Sequence, residues 1–123
     1  MSQFQANLKK MPGISHLEAL NLLDAEGNVV ATIENKAGSQ GSLSLYNHLG
    51  QTYGAITPDA ARKGLELYAE HTEDARQHPG KHPNIDRLFE IAEKKTTLRV
   101  KHVFAVLSIP SNSKAPGGLT ILG

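Results

Sequence analysis

Three histidines lie close to several acidic residues between positions 70 and 86 of this 123-residue chain. On a helix, the spacing of His71, Asp74 and His78 would project their side chains from neighbouring turns of one side, and His82 follows in the next loop. Imidazole and carboxylate groups can bind zinc or iron, and they can also divide the acid and base roles of a reaction. The segment therefore predicts either a divalent metal site or a histidine-based active site that uses these four residues.

A structural role explains the same histidines without any chemistry. The segment has no established metal motif such as HExxH. His78 falls where a predicted helix ends, a position that favours a cation, and His82 precedes a proline that suits the start of the next helix. Both interpretations stay open at the level of the sequence.

The second candidate is the glycine- and serine-rich segment 36–42, which precedes a predicted helix. Glycines let the backbone approach a ligand closely, and the free amides at a helix start attract anions. The segment lacks the lysine–hydroxyl ending of a P-loop and the three-glycine dinucleotide motif, so a flexible link with Ser42 as an ordinary cap is the alternative. If a small anion binds here and at the corner 76–82, the predicted contacts are Lys36, Gly38, Ser39, Gln40, Gly41, Ser42, Arg76 and Lys81.

The composition excludes several classes of function. The chain has no cysteine, which rules out disulfides, thiolate ligands and a cysteine nucleophile and fits a reducing compartment. The formal charge is only +1 and aromatic residues make up 5%, so a nucleic-acid partner is not expected. No segment approaches the roughly 20 apolar residues that span a bilayer. We therefore expect a cytoplasmic protein without a membrane partner.

Four segments carry helix signals that would position these candidates. Ser2 can cap a short helix, and a second helix is predicted to follow Ser42. Thr57-Pro58-Asp59 combines a capping hydroxyl, a proline at the first position and an early acid, which predicts the longest helix, ending near Gln77. A further amphipathic helix is predicted to start at Pro83 or the next residue.

Strand signals occur near both ends of the chain. Two apolar stretches, 16–24 and 29–35, flank a turn in which Gly27 and Asn28 can take positive φ, and they predict a β-hairpin. The segment 98–108 alternates and then becomes apolar on both faces, which predicts a strand with its second end under a helix. The fold class predicted is α+β, with a small antiparallel sheet packed against about three helices.

The domain organisation follows from length and composition. A chain of 123 residues lies within the usual size of one domain. The segment after residue 109 is rich in serine, proline and glycine. We therefore predict a single α+β domain over 1–109 and a loop or flexible tail over 110–123.

The segments IENKAGSQGSL and AEHTEDARQHPGKHPNIDRL together resemble those of a small family of bacterial proteins catalogued as a domain of unknown function. The similarity covers about the first hundred residues and leaves the tail outside it. The resemblance implies a bacterial cytoplasmic protein of about this size, and it transfers no catalytic residue because the family has no assigned activity.

The sequence is consistent with three functions. The first is a ligand-binding or regulatory module that holds a small anion between the glycine–serine segment and the histidine-rich corner. The second is a small metal-dependent or histidine-based enzyme. The third is an interaction module that acts through a sheet edge. Because unpaired sheet edges favour association, we also expect a homodimer.

Overall fold

The computed structural model describes residues 2–106 of the chain. Over these residues the protein forms an α+β fold, as predicted, and the predicted tail 110–123 lies outside the described residues. The elements in chain order are α1 Gln3–Leu8, β1 Leu17–Leu23, β2 Val29–Glu34, α2 Gln40–Tyr53, α3 Pro58–Leu67, α4 Glu70–Gln77, α5 Pro83–Lys94 and β3 Arg99–Phe104. None of the helices in this part of the chain is both long and apolar enough to cross a membrane.

The three strands form one antiparallel sheet in the order β2-β1-β3. The predicted hairpin is β1 and β2, joined by a turn in which Gly27 has φ 87°. The prediction of positive φ at Asn28 was wrong. Instead, the carboxylate of Asp24 accepts the amides of Glu26 and Asn28, which turns the chain without a left-handed asparagine.

One face of the sheet packs on α2, the helix that contacts all three strands, while α3 packs on both α2 and α5. Apolar residues at the predicted helical and strand spacings are buried between these layers. The largest buried apolar side chains are Leu17, Leu20 and Leu22 of β1, Ile33 of β2, Leu43, Leu45, Tyr46 and Leu49 of α2, Ile56, and Ile85 and Leu88 of α5.

The helix predicted to run from Thr57 to Gln77 is broken into α3 and α4. The break lies at Ala69, which has φ 58° and ψ −120°, far from helical values. Two carbonyls released at the end of α3 find partners elsewhere: the Thr72 hydroxyl donates to Leu65, and Asn7 Nδ2 of α1 donates to Leu67. These contacts offset the lost helical hydrogen bonds, and no local signal in the sequence reveals them.

Strand β3 also departs from its prediction at its second end. The middle of the strand lies under α2, where Val100 lies close to Gly50 and His102 Nε2 is 2.8 Å from Asn47 Oδ1. Phe104 is 64% exposed and Val106, just past the strand, is 88% exposed. As far as Val106 this end is therefore not under a helix, contrary to the expectation, because α2 covers only the part of the strand that precedes Phe104.

Candidate functional site

A cleft of about 530 Å³ opens where the starts of α2 and α5 meet α1 and the α3–α4 junction. Both segments selected from the sequence contribute to it. Its lining residues are Phe4, Gln5 and Leu8 from α1, Gly38, Gln40, Gly41 and Ser42 around the start of α2, Tyr68 and His71 at the α3–α4 junction, and Lys81, His82, Pro83, Asn84 and Ile85 around the start of α5.

The start of α2 presents backbone amides to this cleft. Gly38 has φ 93°, a left-handed conformation that glycine adopts without strain, and the helix begins two residues later. The amides of Gly41 and Ser42 belong to the first turn, where no helical acceptor precedes them, and they have no acceptor among residues 2–106. Such amides are the donors that anions use at helix starts.

Ser42 was predicted to cap this helix, and that prediction was wrong. The capping position belongs to Ser39, whose hydroxyl donates to the carbonyl of Glu34 instead of accepting an amide. Ser42 lies in the first turn, where its Oγ accepts the Tyr68 hydroxyl at 2.7 Å. This bond ties the α3–α4 junction to the start of α2, and it keeps the Ser42 hydroxyl at the cleft.

The start of α5 forms the opposite part of the cleft. As predicted, Pro83 occupies the first helical position, and His82 is the residue before it. The His82 carbonyl accepts the amides of Ile85 and Asp86, so the helix starts without a side-chain cap. Two helix starts therefore border one cleft, and the positive ends of both dipoles raise its potential.

Asp74 organises the histidine-rich corner. Its Oδ2 lies 2.6 Å from His82 Nε2 and 3.0 Å from Lys81 Nζ, and His78 Nε2 lies 3.7 Å from Oδ1. The hydrogen bonds from His82 and then from Lys81 lower the pKa of Asp74 to about 2. Because Asp74 is thus ionised near neutral pH and has no proton to give, His82 Nε2 must be the donor, and its Nδ1 is left for other partners.

His71 lies across from His82 in the same cleft. The two imidazole rings are 5.9 Å apart between centroids, and the His71 ring meets Phe4 edge-on at 5.0 Å. Phe4 in turn stacks on Tyr68 at 5.3 Å, and its amide donates to the Glu70 carboxylate at 3.2 Å. Helix α1 thereby holds His71 from one side, while the side chains of His71 and His82 remain 41% and 25% exposed.

The four predicted metal ligands do not assemble. Within residues 2–106 no group of three or more histidine, aspartate or glutamate side chains is arranged to hold a metal ion. Asp74 is engaged by His82 and Lys81, His78 caps the end of α4, and His71 is placed against Phe4. The histidine-rich corner contributes His71, Lys81 and His82 to the cleft.

Three predicted anion contacts lie outside the cleft lining. Lys36 pairs with Glu34 at 2.8 Å, and Ser39 is turned to the backbone of the preceding strand. Arg76 pairs with Glu73 at 2.8 Å, and its guanidinium lies 5.1 Å over the centre of the Phe89 ring. Of the eight predicted contacts, Gly38, Gln40, Gly41, Ser42 and Lys81 line the cleft.

The contribution of α1 was not foreseen. The spacing of Phe4 and Leu8 on one side of a short helix is visible in the sequence, but it indicates only that this side is buried. The packing of Phe4 on Tyr68 joins residues 64 positions apart, and a local pattern does not report it.

The fold and the cleft define a small α+β protein with a cleft between two helix starts. The chain belongs to the family described as "Uncharacterized protein conserved in bacteria (DUF2322)", whose family model matches residues 4–102. The resemblance stated from the sequence is thereby confirmed. Comparisons with curated proteins and with solved structures give no match.

Proposed function

We propose that the protein is a ligand-binding or regulatory module that holds a small, phosphate-like anion in the cleft. The observation that carries this proposal is the convergence of two segments distant in the sequence, 38–42 and 81–84, on one cavity. A volume of about 530 Å³ lies within the usual range of roughly 300–1,000 Å³ for small-ligand sites.

Donors on both sides of the cleft support an anion as the ligand. The Gly41 and Ser42 amides and the α2 dipole act from one side, and Lys81 and the start of α5 act from the other. Asp74 offsets part of the Lys81 charge. The amides and helix dipoles, which carry no counter-ion, therefore supply a substantial share of the attraction.

Titration of the ¹⁵N-labelled chain with inorganic phosphate tests the proposal. We expect saturable shifts of amide signals at 38–42 and 81–85, and little change on the outer face of the sheet. Lys81→Gln should weaken binding about threefold, the size of one partly exposed charge contact. Lys63→Gln is the matched control, because Lys63 is also ion-paired, 3.4 Å from Glu66, but lies away from the cleft.

Two results would overturn this function. One is a titration in which the amides at 38–42 and 81–85 do not shift saturably. The other is an equal loss of affinity in Lys81→Gln and Lys63→Gln, which would indicate general charge screening and not a site.

Two further properties belong to the same proposal. The absence of cysteine supports a reducing compartment, and we place the protein in the cytoplasm on that ground. The exposure of Phe104 and Val106 at the end of edge strand β3 supports a homodimer joined along that edge. The molar mass in solution tests the dimer.

A further inference from the structure

We infer that the cleft hydrolyses a phosphodiester, with His71 and His82 as its acid–base pair. The inference rests on the proposed anion-binding function, since the substrate would occupy the same site. It adds an activity and a substrate class, and it needs no metal and no cofactor.

The two imidazole rings lie close enough to contact the same bound group. Both line the cleft, both remain partly exposed, and their ring centroids are 5.9 Å apart. Two proton-transfer groups on either side of a small reacting centre can act in a single step, one as base and one as acid. His78 belongs to the same corner but does not line the cleft.

The surroundings of the two rings indicate which histidine is the acid and which is the base. His82 Nε2 donates to the Asp74 carboxylate at 2.6 Å, so a proton given to the substrate from His82 Nδ1 leaves the ring neutral and still hydrogen-bonded to Asp74. The nearest carboxylate oxygen to His71 in the described part of the chain belongs to Glu70, 3.7 Å away and beyond hydrogen-bond distance. We therefore assign His82 as the acid, His71 as the base and Asp74 as a positioning residue.

The reaction balances with water as the only co-substrate. The oxygen of a water molecule attacks phosphorus while His71 accepts a proton from that water. The bond from phosphorus to the leaving oxygen breaks, and protonated His82 gives its proton to that oxygen. The products are a phosphomonoester and an alcohol, and proton exchange with solvent restores both histidines.

A phosphodiester fits this site better than a neutral ester. The diester carries one negative charge, which the helix starts and Lys81 attract, whereas a carboxylic ester offers no charge to them. Its alkoxide or phenoxide leaving group requires a proton, and His82 supplies one. Developing charge on the phosphoryl oxygens would also meet the Gly41 and Ser42 amides.

The test uses the full chain with two probes, bis(4-nitrophenyl) phosphate and diphenyl phosphate, in the presence of a chelator. We expect turnover of both. His71→Gln should slow both by about 100-fold or more, the usual size of a lost proton transfer. His82→Gln should slow diphenyl phosphate by a similar factor and the nitrophenyl probe much less, because 4-nitrophenolate leaves with little help from an acid. His16→Gln is the control, because His16 is exposed and does not line the cleft, and its rate should stay within about twofold of the unmodified chain.

A measurement without variants covers the case in which a substitution disturbs folding. The rate of the unmodified chain should rise and then fall with pH, because the step needs one neutral and one protonated imidazole. The charged or titratable groups facing the pair are Glu70 and Asp74 from α4, His78 at its end, Lys81 from the loop and Tyr68 at the end of α3. A rate that changes in only one direction between pH 4.5 and 9 would overturn the inference.

The remaining outcomes separate this inference from the function on which it rests. Phosphate binding in the cleft without turnover of either probe overturns the activity and leaves the binding function standing. No binding and no turnover overturn both. Turnover that survives in both His71→Gln and His82→Gln also overturns the assignment, because the reaction would then occur elsewhere.

Discussion

Tyr46 shows how one buried polar residue joins the core to the cleft. Its hydroxyl donates to the Asn84 carbonyl at 2.5 Å and accepts from Arg87 Nη1 at 3.2 Å. Asn84 lines the cleft, and Arg87 also donates to its side chain at 2.8 Å. A side chain with no exposed surface thereby fixes the start of α5, and with it the position of Pro83 and His82.

Burial raises the pKa of Tyr46 to about 12, against an ordinary value of 10.0. A raised pKa means that the unfolded chain loses this proton first, so the stabilisation is complete below pH 10 and is lost as the pH rises toward 12. We expect the free energy of unfolding to fall by about 2 kcal/mol between pH 10 and 12 from this residue, because each tenfold change in a proton-binding equilibrium corresponds to roughly 1.4 kcal/mol and the loss is still incomplete at pH 12.

Urea denaturation between pH 9 and 12 measures this loss. Because phenylalanine has no proton to lose, Tyr46→Phe should remove the Tyr46 contribution to the alkaline loss of stability. It also lowers stability at neutral pH by removing two hydrogen bonds. Tyr53→Phe is the control, because Tyr53 is 38% exposed. An equal alkaline decline in both variants would contradict the assignment to Tyr46.

Helix packing depends on a close approach at Gly64, where α3 meets α2 and α5. A Cβ placed at Gly64 would lie 2.7 Å from Leu88 Cδ1 and 2.9 Å from Leu49 Cδ1. Both leucines are fully buried, so neither side chain can move aside into solvent. Glycine at this position lets the three helices pack at this spacing.

Gly64→Ala should therefore destabilise the protein, even though alanine favours a helix. Overpacking costs about 1–3 kcal/mol, and the better helix propensity returns about 1 kcal/mol, so we expect a net loss of about 1 kcal/mol. The urea midpoint measures it, with Arg62→Ala on the exposed side of α3 as a control that should stay within about 0.5 kcal/mol. An increase in stability would show that the helices can separate at no cost.

The elements differ in how well the sequence predicts them, and the reason is physical. Helix starts with local chemistry were predicted correctly: Ser2 accepts the amide of Gln5, Thr57 accepts that of Ala60, and Pro83 opens α5. The break at Ala69 was missed, because the hydrogen bonds that compensate it come from the Thr72 hydroxyl and from Asn7 of α1, and no local pattern reveals them. The exposed end of β3 was missed for a related reason, since apolar patterning cannot say where a covering helix stops.

The candidate site was also predicted only where local residue types indicate it. Both segments that line the cleft were identified from residue types that can bind anions or transfer protons. Their convergence was a hypothesis, because 39 positions separate Ser42 from Lys81 and only packing brings them together. Lys36 and Arg76 lie outside the cleft lining, and each is paired with a nearby glutamate.

At the scale of the whole molecule, the three-stranded sheet leaves both outer strands without a partner along one edge within residues 2–106. Strand β2 carries Val29 and Val30, 54% and 52% exposed, and β3 ends at Phe104, 64% exposed. Apolar side chains on an unpaired edge favour pairing with a second chain. Because Phe104 and Val106 expose the most apolar surface, we expect antiparallel pairing of two β3 strands about a two-fold axis near Phe104.

Light scattering coupled to size-exclusion chromatography measures the molar mass in solution, which tests the dimer. The chain alone is 13.3 kDa, so a dimer should elute near twice that mass at tens of micromolar protein. Phe104→Lys should restore the monomer, since a two-fold axis would bring the two new charges together. Val29→Lys on the other edge strand is the matched control and should remain dimeric. A monomeric mass for the unmodified chain would refute the dimer, and loss of the dimer only in Val29→Lys would assign the interface to β2.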